Sequence, residues 1–496
     1  MDFIPVATPE EGTALRRLLS ARGFTTANTC ARLGIPAIYD FRSLRDGRPG
    51  GGPPSDALDL LIRLFMDVEV VDRATIEALL TAEECRLLDD LGLIRAREDG
   101  QWHATVLLYP TESIWIASDL NADPTGSEQV GLREDAVYPA ITRNTRHFLA
   151  SLPPTRCSRF LELCAGTGIA ALLASHYAER TWATDITDRA TRFARFNAVL
   201  NGIENCTVVQ SDLFAAVAGE TFDRIVAHPP YMPSLEQKYV FRDGGEDGEQ
   251  ITRGVVSGLP DHLTRGGSFY CTCMLTDRKD LRAEQRLRLL LGNAATEFDI
   301  ILLSHQSFQP TEYYFQLALA GRATLDEVQR RHEIFGRLEV ERLVYGSMVV
   351  RRHDGRRIGY TCRRQAGPVS GLRELEWLDR WESATIDRGR LMEERPRVPP
   401  ECRMHLSHAP ANGEWVVESC VLTTPWPFQV EAKCPPWTAS FLNRCDGQRA
   451  LREHFDWLRS EGLLAADTPE ADFAALARTL VGGGFLEVPA FPLPRP

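Results

Sequence analysis

The chain has 496 residues, of which 44 % are hydrophobic and 25 % are charged, a composition that excludes a wholly disordered or fibrous protein. Its 56 Lys and Arg against 68 Asp and Glu give a net charge of −12, the wrong sign for a protein that coats phosphate backbones without specificity. Neither a metal-binding cysteine pattern, nor a secretion signal, nor a membrane-spanning apolar run is visible. We therefore expect about three domains in a cytoplasmic protein that has no metal centre and no membrane contact.

Residues 1–120 are predicted to form a small module of helices followed by a two-stranded wing. The segment Thr81-Ala-Glu-Glu84 has the pattern of a capping box that starts a helix. Alternation of apolar and polar residues at 102–109 and 113–117 indicates the two wing strands. The order of these elements resembles a winged-helix module. Because the helix after the capping box carries no excess of positive charge, we favour a packing or substrate-gripping role over nucleic-acid binding.

Residues 121–320 alternate short apolar runs with helical patterns. The candidate strands are residues 159–163, 181–185, 207–210, 223–227, 268–273, 298–303 and 313–319. Connections of helix length between the earlier strands predict parallel βαβ units and a doubly wound sheet. The last two strands lie too close together for a helical crossover, so they are predicted to form an antiparallel hairpin at the edge of the sheet.

Residues 321–400 are predicted to form a β-hairpin extension and a linker. Strands at 342–350 and 357–362 would be joined across Asp354-Gly355, a dipeptide typical of hairpin turns. Six arginines crowd this region, namely Arg351, Arg352, Arg356, Arg357, Arg363 and Arg364. They fit either a solvated strand edge that resists aggregation or a patch for an anionic partner. The proline-rich stretch 396–400 marks the linker.

Residues 401–496 are predicted to form a second module of winged-helix type. The run Phe441-Leu-Asn-Arg-Cys-Asp-Gly-Gln-Arg-Ala-Leu-Arg452 leads into helical patterns, and residues 482–488 are predicted to form a short apolar strand. The same run resembles the peptide-recognition domains of peptide-modifying systems.

A glycine motif follows the first strand of the predicted sheet. Residues 159–163 run into Gly166-Thr-Gly168 and then into a helix, so small residues lie where a ligand approaches the backbone. Asp185 ends the second strand, where its two oxygens are able to accept both hydroxyls of a ribose. The third strand ends at Ser211-Asp212-Leu213, which favours S-adenosylmethionine over a dinucleotide. A dinucleotide-binding fold would also favour a third glycine where this chain has Ala171.

On these motifs, residues 135–320 resemble class I S-adenosylmethionine-dependent methyltransferases. The resemblance implies an α/β, doubly wound, seven-stranded Rossmann-like core with an antiparallel last strand, flanked here by the N- and C-terminal winged-helix-like α+β modules. It implies S-adenosylmethionine as the cofactor, with Asp185 on the ribose, Asp212 on the adenine amino group and Leu213 against the ring. The residues that it places at the cofactor are Glu162, Cys164, Ala165, Gly166, Thr167, Gly168, Asp185, Ile186, Asp212, Leu213 and His228.

The fourth strand ends in Ala227-His228-Pro229-Pro230-Tyr231, which is the candidate acceptor site. Two prolines rigidify the chain and place Tyr231 at the carboxyl edge of the sheet, where open α/β sheets bind ligands. The segment is similar to the Asn-Pro-Pro-Tyr motif of release-factor glutamine methyltransferases and of N-methyltransferases that act on exocyclic amines of adenine or guanine. The resemblance implies that residue 228 and the Pro229 carbonyl accept the amine hydrogens, and that Tyr231 packs on a planar acceptor.

His228 stands where that family has Asn, Asp or Ser. An imidazole lacks the simultaneous donor and acceptor of an amide, so the acceptor atom stays open. His228 is interpreted as a general base with a pKa near ~6.5, as an orienting group, or as a space-filling residue. Glu246 and Asp247 lie in a turn similar to the family's Gly-Gly-x-Asp-Gly and fit either contacts to a cationic substrate or helix caps. The other histidines, including His147, are expected to be packing or surface residues.

The leading hypothesis is a methyltransferase that transfers methyl by in-line displacement to a nitrogen of a peptide, protein or small-molecule acceptor. A sulfonium methyl is already activated, so alignment in a dry pocket supplies most of the catalysis. One alternative is an RNA or DNA base N-methyltransferase, which the motif and the arginines favour and the net charge opposes. The other is a non-catalytic binding protein that retains the fold, and the intact Gly166, Gly168, Asp185 and Asp212 argue against it.

Overall fold

A computed structural model describes residues 4–43, 52–120, 133–321, 323–368, 370–384, 388–411 and 413–495. The chain divides into two compact units, the first comprising Met1–Asp299 and Phe308–Gly359 and the second comprising Ile300–Ser307 and Tyr360–Pro496. The predicted boundary between residues 120 and 121 adjoins a segment outside the described residues. Among the helices that the structure describes, each is too short or too polar to cross a membrane.

The N-terminal part of the first unit contains five described α-helices and two small antiparallel sheets. The helices are α1 Pro9–Ala21, α2 Thr26–Leu33, α3 Ala57–Phe65, α4 Arg73–Leu79 and α5 Ala82–Asp90. The strands are β1 Val71–Asp72, β2 Ile94–Ala96 and β3 Gln101–Ala104, in the order β1, β3, β2, and the pair β4 Leu107–Thr111 and β5 Ile114–Ser118. Thr81 and Glu84 form the predicted capping box at the start of α5.

The wing predicted at 102–109 and 113–117 is confirmed for residues 107–109, which pair with β5, but residues 102–104 belong to another sheet. The first of these runs is split at Thr105 into β3 and β4, which belong to different sheets. The Thr105 hydroxyl donates to the carbonyl of Gly92 at 2.6 Å, and its N–H donates to the carbonyl of Leu93. These bonds hold Thr105 beside the start of β2, so the chain has to leave the three-stranded sheet before β4 begins. The winged-helix assignment itself stays a prediction.

A mixed sheet forms the centre of the first unit. The strands that follow in the chain are β6 Cys157–Leu163, β7 Ala178–Asp185, β8 Cys206–Gln210, β9 Phe222–Ala227, β10 Leu263–Arg278, β11 Phe298–Phe308 and β12 Val340–Arg352. Six of them lie in the order β12, β10, β9, β6, β7, β8, and only β12 is antiparallel to its neighbour. The residues of β11 between 300 and 307 belong to the second unit. The parallel strands confirm the predicted α/β Rossmann-like core.

Helices lie between most of these strands, as parallel pairing requires, and α6 precedes the first of them. They are α6 Arg143–Ala150, α7 Ile169–Ala174, α8 Asp188–Asn201, α9 Gln250–His262, α10 Ala283–Leu290, α11 Pro310–Leu319 and α12 Leu325–Arg337. The N-terminal helices and β4 and β5 share one hydrophobic core with α7 and α8, so the N-terminal part packs against the sheet's own helices.

The strand predicted at 313–319 is wrong, because these residues form α11. Pro310 occupies the first turn, where a missing N–H costs nothing, and the acidic Glu312 follows it. The aromatic run that suggested a strand instead supplies a helical contact, since the ring of Tyr314 packs 5.8 Å from that of Phe335 in α12. The antiparallel strand of the core is therefore β12, which lies further along the chain than predicted.

The hairpin predicted across Asp354-Gly355 is also wrong. β12 pairs with β10 along nearly its whole length, from Arg351 opposite Ser268 to Val340 opposite Arg278. The hydrogen bonds of this long pairing satisfy backbone groups of β12, so the strand does not need a partner joined to it by a hairpin. Only the end of the predicted second strand is extended, as the start of β13 Thr361–Ala366, and that strand pairs with β11 and with a later strand.

The second unit combines an antiparallel sheet with helices. Its further elements are α13 Leu372–Ser383, α14 Arg388–Glu393, β14 Arg403–Ala411, β15 Glu414–Thr424, β16 Phe428–Cys434, α15 Trp437–Asn443, α16 Leu451–Ser460 and α17 Glu470–Gly482. The strands lie in the order β14, β15, β16, β13, β11, and only the β13–β11 pair is parallel.

The proline-rich stretch 396–400 is not a free linker. The backbones of Arg397 and Glu487 exchange two hydrogen bonds of 2.9 Å, and their side chains form an ion pair. The carboxylate of Glu487 is buried, so it requires this cation. The apolar strand predicted at 482–488 is reduced to isolated bridges at Glu487 and Val488. Both segments therefore belong to the packed body of the second unit.

Candidate functional site

The loop between β6 and α7 presents backbone to open space. Cys164, Gly166 and Gly168 have φ values of +53°, +53° and +79°, in the region that favours glycine. A Cβ atom at Gly166 would meet no described atom within 4 Å, whereas one at Gly168 would lie 3.1 Å from the Cβ of Ala194 in α8. Gly166 therefore borders a space that a ligand can fill, and Gly168 allows α8 to approach the loop closely.

Glu162 supports this loop from inside the protein. Its carboxylate oxygens accept hydrogen bonds from the N–H groups of Ala170 and Ala171, at 3.2 and 2.7 Å. The side chain is buried, and this burial raises the pKa of Glu162 to about 8. The carboxylate thus holds the first turn of α7 in place, and its predicted contact with the methionine moiety stays a prediction.

Asp185 lies at the end of β7, against the same loop. One oxygen accepts the N–H of Gly166 at 2.9 Å, and the other accepts the N–H and the hydroxyl of Thr187 at 3.0 and 3.2 Å. Burial raises the pKa of Asp185. The next residue, Ile186, leaves 51 % of its surface exposed. An exposed apolar side chain beside a partly buried carboxylate suits a ligand that has both a sugar and a flat ring.

The predicted adenine residues join the same edge. The N–H of Ser211 donates to the Asp185 carbonyl at 2.8 Å, which brings the end of β8 beside the end of β7. Asp212 is exposed, and Leu213 is partly buried with φ at +47°. The structure therefore brings together the ends of the first three strands at one edge of the sheet, and the binding of S-adenosylmethionine by these residues stays a prediction.

A contact that sequence reasoning missed ties this edge to the N-terminal part. The buried amide of Asn197 in α8 donates to the carbonyls of Thr167 and Ala117, at 3.0 and 3.1 Å. Its oxygen accepts the N–H of Ala117 at 2.8 Å. One side chain thus links the backbone of the glycine loop with strand β5.

The segment 228–231 is held by the glycine-rich turn that follows it. The N–H of Met232 donates to the Arg242 carbonyl, and the N–H of Gly244 donates to the Met232 carbonyl, both at 2.9 Å. Gly248 has φ at +81°, and a Cβ there would collide with the carbonyl oxygen of Tyr231. A Cβ at Gly244 would lie 2.8 Å from the carbonyl oxygen of Pro230. The glycines are therefore needed for the turn to pack directly on the acceptor segment.

The two acidic residues of this turn have different surroundings. Asp247 is buried, accepts the N–H of Glu249, and forms ion pairs of 2.7 and 2.8 Å with Arg253 and Arg278. Its carboxylate therefore acts as a structural anchor, although it does not cap α9, whose N-cap residue is Glu249. Glu246 lies at the surface in an ion pair with Arg337.

His228 lies at the end of β9 between two aromatic rings. Its ring centroid is 5.2 Å from that of Phe148 and 5.8 Å from that of Tyr231, and both pairs are stacked. The Nε2 atom is buried and has no hydrogen-bond partner among the described residues. Burial lowers the pKa of His228 to about 4, below the ~6.5 of a free imidazole. The ring is therefore neutral at physiological pH.

Tyr231 is held from two distant parts of the chain. The side-chain N–H of Asn144 in α6 donates to its hydroxyl at 2.6 Å, and the hydroxyl of Tyr345 in β12 donates to the Asn144 oxygen at 3.2 Å. His147 was expected to be a packing or surface residue, yet its Nδ1 lies 3.5 Å from the Tyr345 hydroxyl. Sequence reasoning missed Asn144 and Tyr345, because they are near Tyr231 only through the order of the strands.

Residues 138–297 match the family described as the methyltransferase small domain. This segment is thus similar to a methyltransferase domain. The match begins just before α6 and ends before β11, so it contains the glycine loop, the ends of the first three strands and the His228–Tyr231 segment. Tyr345 lies beyond it.

Curated relatives match a similar part of the chain. A ribosomal protein uL3 glutamine methyltransferase of Bradyrhizobium diazoefficiens is 35 % identical over 132 residues, which are 24 % of this chain and 41 % of the relative. A release factor glutamine methyltransferase of Moorella thermoacetica is 31 % identical over 132 residues, which are 24 % of this chain and 47 % of the relative. The chain thus spans less than half the length of these two proteins, and the similarity concerns the methyltransferase domain.

Proposed function

We propose that the protein transfers a methyl group from S-adenosylmethionine to a nitrogen of a protein or peptide acceptor. The observation that carries the proposal is the buried, unpartnered Nε2 of His228 beside Tyr231, on the same sheet edge as the open space at Gly166. The names of the relatives support a glutamine side-chain amide of a protein as the acceptor. The small-molecule alternative has no comparable support.

The residues of the cofactor edge would hold S-adenosylmethionine, which supplies an activated methyl group on a sulfonium. Asp185 would accept a hydrogen bond from the ribose, since its Oδ2 accepts only the Gly166 N–H and keeps a further lone pair. Ile186 and Leu213 would cover the adenine ring, and Asp212 would accept from its amino group. The backbone at Gly166 would lie against the methionine moiety, with Glu162 fixing the loop from below.

The acceptor would be oriented by three groups of the segment after β9. Because His228 is neutral, its Nε2 would accept a hydrogen bond from the acceptor N–H. The Pro229 carbonyl would accept the second N–H, and the Tyr231 ring would pack on the plane of the acceptor. These contacts point the nitrogen lone pair at the methyl group and exclude water, which is where the rate enhancement arises.

The arginines around residues 351–364 give the nucleic-acid alternative little support. Arg352 forms an ion pair with Glu297, Arg357 with Asp299, and Arg356 with Asp354. Their charge is therefore balanced inside the first unit, and the net charge of −12 still opposes a polyanion.

The test is transfer of tritium from labelled S-adenosylmethionine. Purified ribosomal protein uL3, a release factor, transfer RNA and duplex DNA are offered separately, and the modified atom is located by mass spectrometry. We expect label on a nitrogen of a protein. Label confined to the nucleic acids would replace the proposal with the base methyltransferase. Binding of S-adenosylmethionine, measured by calorimetry, without transfer to any of the four would contradict it.

A further inference from the structure

The amide of Asn144 connects the hydroxyls of two neighbouring tyrosines, Tyr231 and Tyr345. Its N–H donates to Tyr231 and its oxygen accepts from Tyr345, at 2.6 and 3.2 Å. The two tyrosine rings lie 5.9 Å apart and are tilted by 48°. A single planar amide therefore relates the position of one ring to that of the other.

Both ends of this connection are fixed to regular structure. Asn144 lies in the first turn of α6, where the Thr142 hydroxyl accepts the N–H of Thr145 and caps the helix. Tyr345 lies in β12 directly opposite Met274 of β10, and only 6 % of its surface is exposed. The tyrosine hydroxyl of the acceptor segment is thus attached to the frame of the sheet.

We infer that Asn144 and Tyr345 are positioning residues for acceptor methylation and act through Tyr231. The inference rests on the proposed function, because Tyr231 is the ring on which the acceptor packs. His228 restrains one face of that ring by stacking, and the amide of Asn144 restrains its hydroxyl end. A ring fixed at both places presents one plane to the acceptor, so less conformational freedom is lost when the acceptor binds.

The first test compares Tyr345→Phe with Tyr314→Phe. Both tyrosines belong to the same buried cluster, and both substitutions remove a single hydroxyl and keep the ring. With uL3 as acceptor, we expect Tyr345→Phe to lower kcat/KM about 3- to 10-fold, as the loss of one neutral hydrogen bond implies. The Kd for S-adenosylmethionine should stay unchanged. Tyr314→Phe should leave both quantities unchanged.

The second test varies the connecting side chain. Asn144→Leu keeps the size but removes both hydrogen bonds, whereas Asn144→Asp keeps an oxygen for Tyr345 and lets Tyr231 donate to the carboxylate. We expect the order of kcat/KM to be the unchanged protein, then Asn144→Asp, then Asn144→Leu. In the double variant Asn144→Leu with Tyr345→Phe, the loss should not exceed that of Asn144→Leu alone, since both act through one connection.

Three results would overturn the inference. They are equal kcat/KM for Tyr345→Phe and Tyr314→Phe, no recovery in Asn144→Asp relative to Asn144→Leu, and additive losses in the double variant. Failure of the proposed function looks different, because the unchanged protein would then transfer no label to uL3 or to the release factor, and the positioning role would fall with it.

Discussion

The proposed cofactor edge and the proposed acceptor pocket are built in different ways. The cofactor edge, residues 162–168, 185–187 and 211–213, comes from three consecutive strand ends and consists mainly of backbone and the three carboxylates of Glu162, Asp185 and Asp212. The acceptor pocket, formed by Asn144, His228, Tyr231 and Tyr345, collects side chains from a helix before the sheet, a loop in the middle and the antiparallel strand at its side. A local motif thus suffices for the first, whereas the second requires the folded sheet.

The two regions share one electrostatic property. Burial raises the pKa of Glu162 to about 8 and lowers that of His228 to about 4, so the neutral form is favoured in both places. A cationic ligand reverses this preference for a carboxylate, because a nearby positive charge stabilises the ionised form. His228 needs no nearby charge, because its neutral ring keeps the lone pair that accepts a hydrogen bond from an N–H donor. The cofactor edge is therefore suited to a cation and the acceptor pocket to a neutral, planar group.

The first prediction tests whether the cofactor edge, although built from local motifs, also depends on a distant segment of the chain. Asn197→Ala removes three buried hydrogen bonds, to the Ala117 N–H and to the carbonyls of Ala117 and Thr167. At ~1–3 kcal/mol for each buried group left unpaired, we expect a loss of about 3 to 5 kcal/mol in the free energy of unfolding. Urea denaturation measures it.

Asn205→Ala is the control for that prediction. Its amide binds the carbonyls of Ser175 and Ala178, within the methyltransferase domain itself. If the two variants lose the same stability, the N-terminal part does not support the glycine loop. Removal of residues 1–120 would be a poorer test, because it would expose the face of α7 and α8 that shares their core.

Within the acceptor pocket, His228→Ala should separate transfer from cofactor binding. The lost Nε2 contact orients the acceptor, so we expect turnover with uL3 to fall about 100-fold, the scale on which misplacement of a reactant slows a reaction. The Kd for S-adenosylmethionine should change less than twofold. His332→Ala is the matched control, since this histidine contacts Thr311 outside the pocket. Equal turnover in the two variants would support the space-filling interpretation of His228.

Asp185→Ala, in contrast to His228→Ala, should change mainly the binding of S-adenosylmethionine. It removes a carboxylate that fixes the Gly166 N–H and faces the proposed ribose position. We expect S-adenosylmethionine binding to weaken by about 2 kcal/mol, or ~30-fold, the scale of hydrogen bonds to a charged group. Calorimetry measures this change. Asp188→Ala, three residues further along in an exposed ion pair with Arg192, should have no effect. An unchanged Kd for the Asp185 variant would exclude it from the cofactor edge.

The difference between the two regions also explains what could be predicted from the sequence. Gly166, Asp185 and Asp212 follow apolar runs whose parallel order is readable, so their meeting at one edge was predictable. Asn144 and Tyr345 were not, because the strand at 313–319 was wrong and the position of β12 beside β10 was therefore unknown. The aromatic run in α11 has the β propensity of a strand, and only its packing on α12 decides for a helix. Local sequence patterns were thus sufficient to predict the backbone motifs. The side-chain pocket depends on long-range packing, which these patterns do not show.

The smallest expected effect concerns pH. The pKa of His228 is about 4 in the folded protein, so its ring stays neutral from pH 8 down to pH 5. Its titration should therefore change turnover less than twofold between pH 6 and 8, and a limb due to this residue should appear only as the pH approaches ~4. The lowered pKa also predicts that stability from His228 is complete above the unfolded pKa of ~6.5 and is lost as the pH falls through 4, because the unfolded chain binds the proton first.

His228→Asn tests this last prediction, since an amide does not titrate in that range and restores the residue of the similar motif. The variant should lose less stability than the unchanged protein when the pH is lowered from 6.5 to 4.5, as measured by urea denaturation. Its pH profile of turnover between 6 and 8 should match that of the unchanged protein. A limb near 6.5 that disappears in His228→Asn would mean that the ring is solvated and charged in the working enzyme. The acceptor pocket would then share no electrostatic property with the cofactor edge, and His228 would act as a general base.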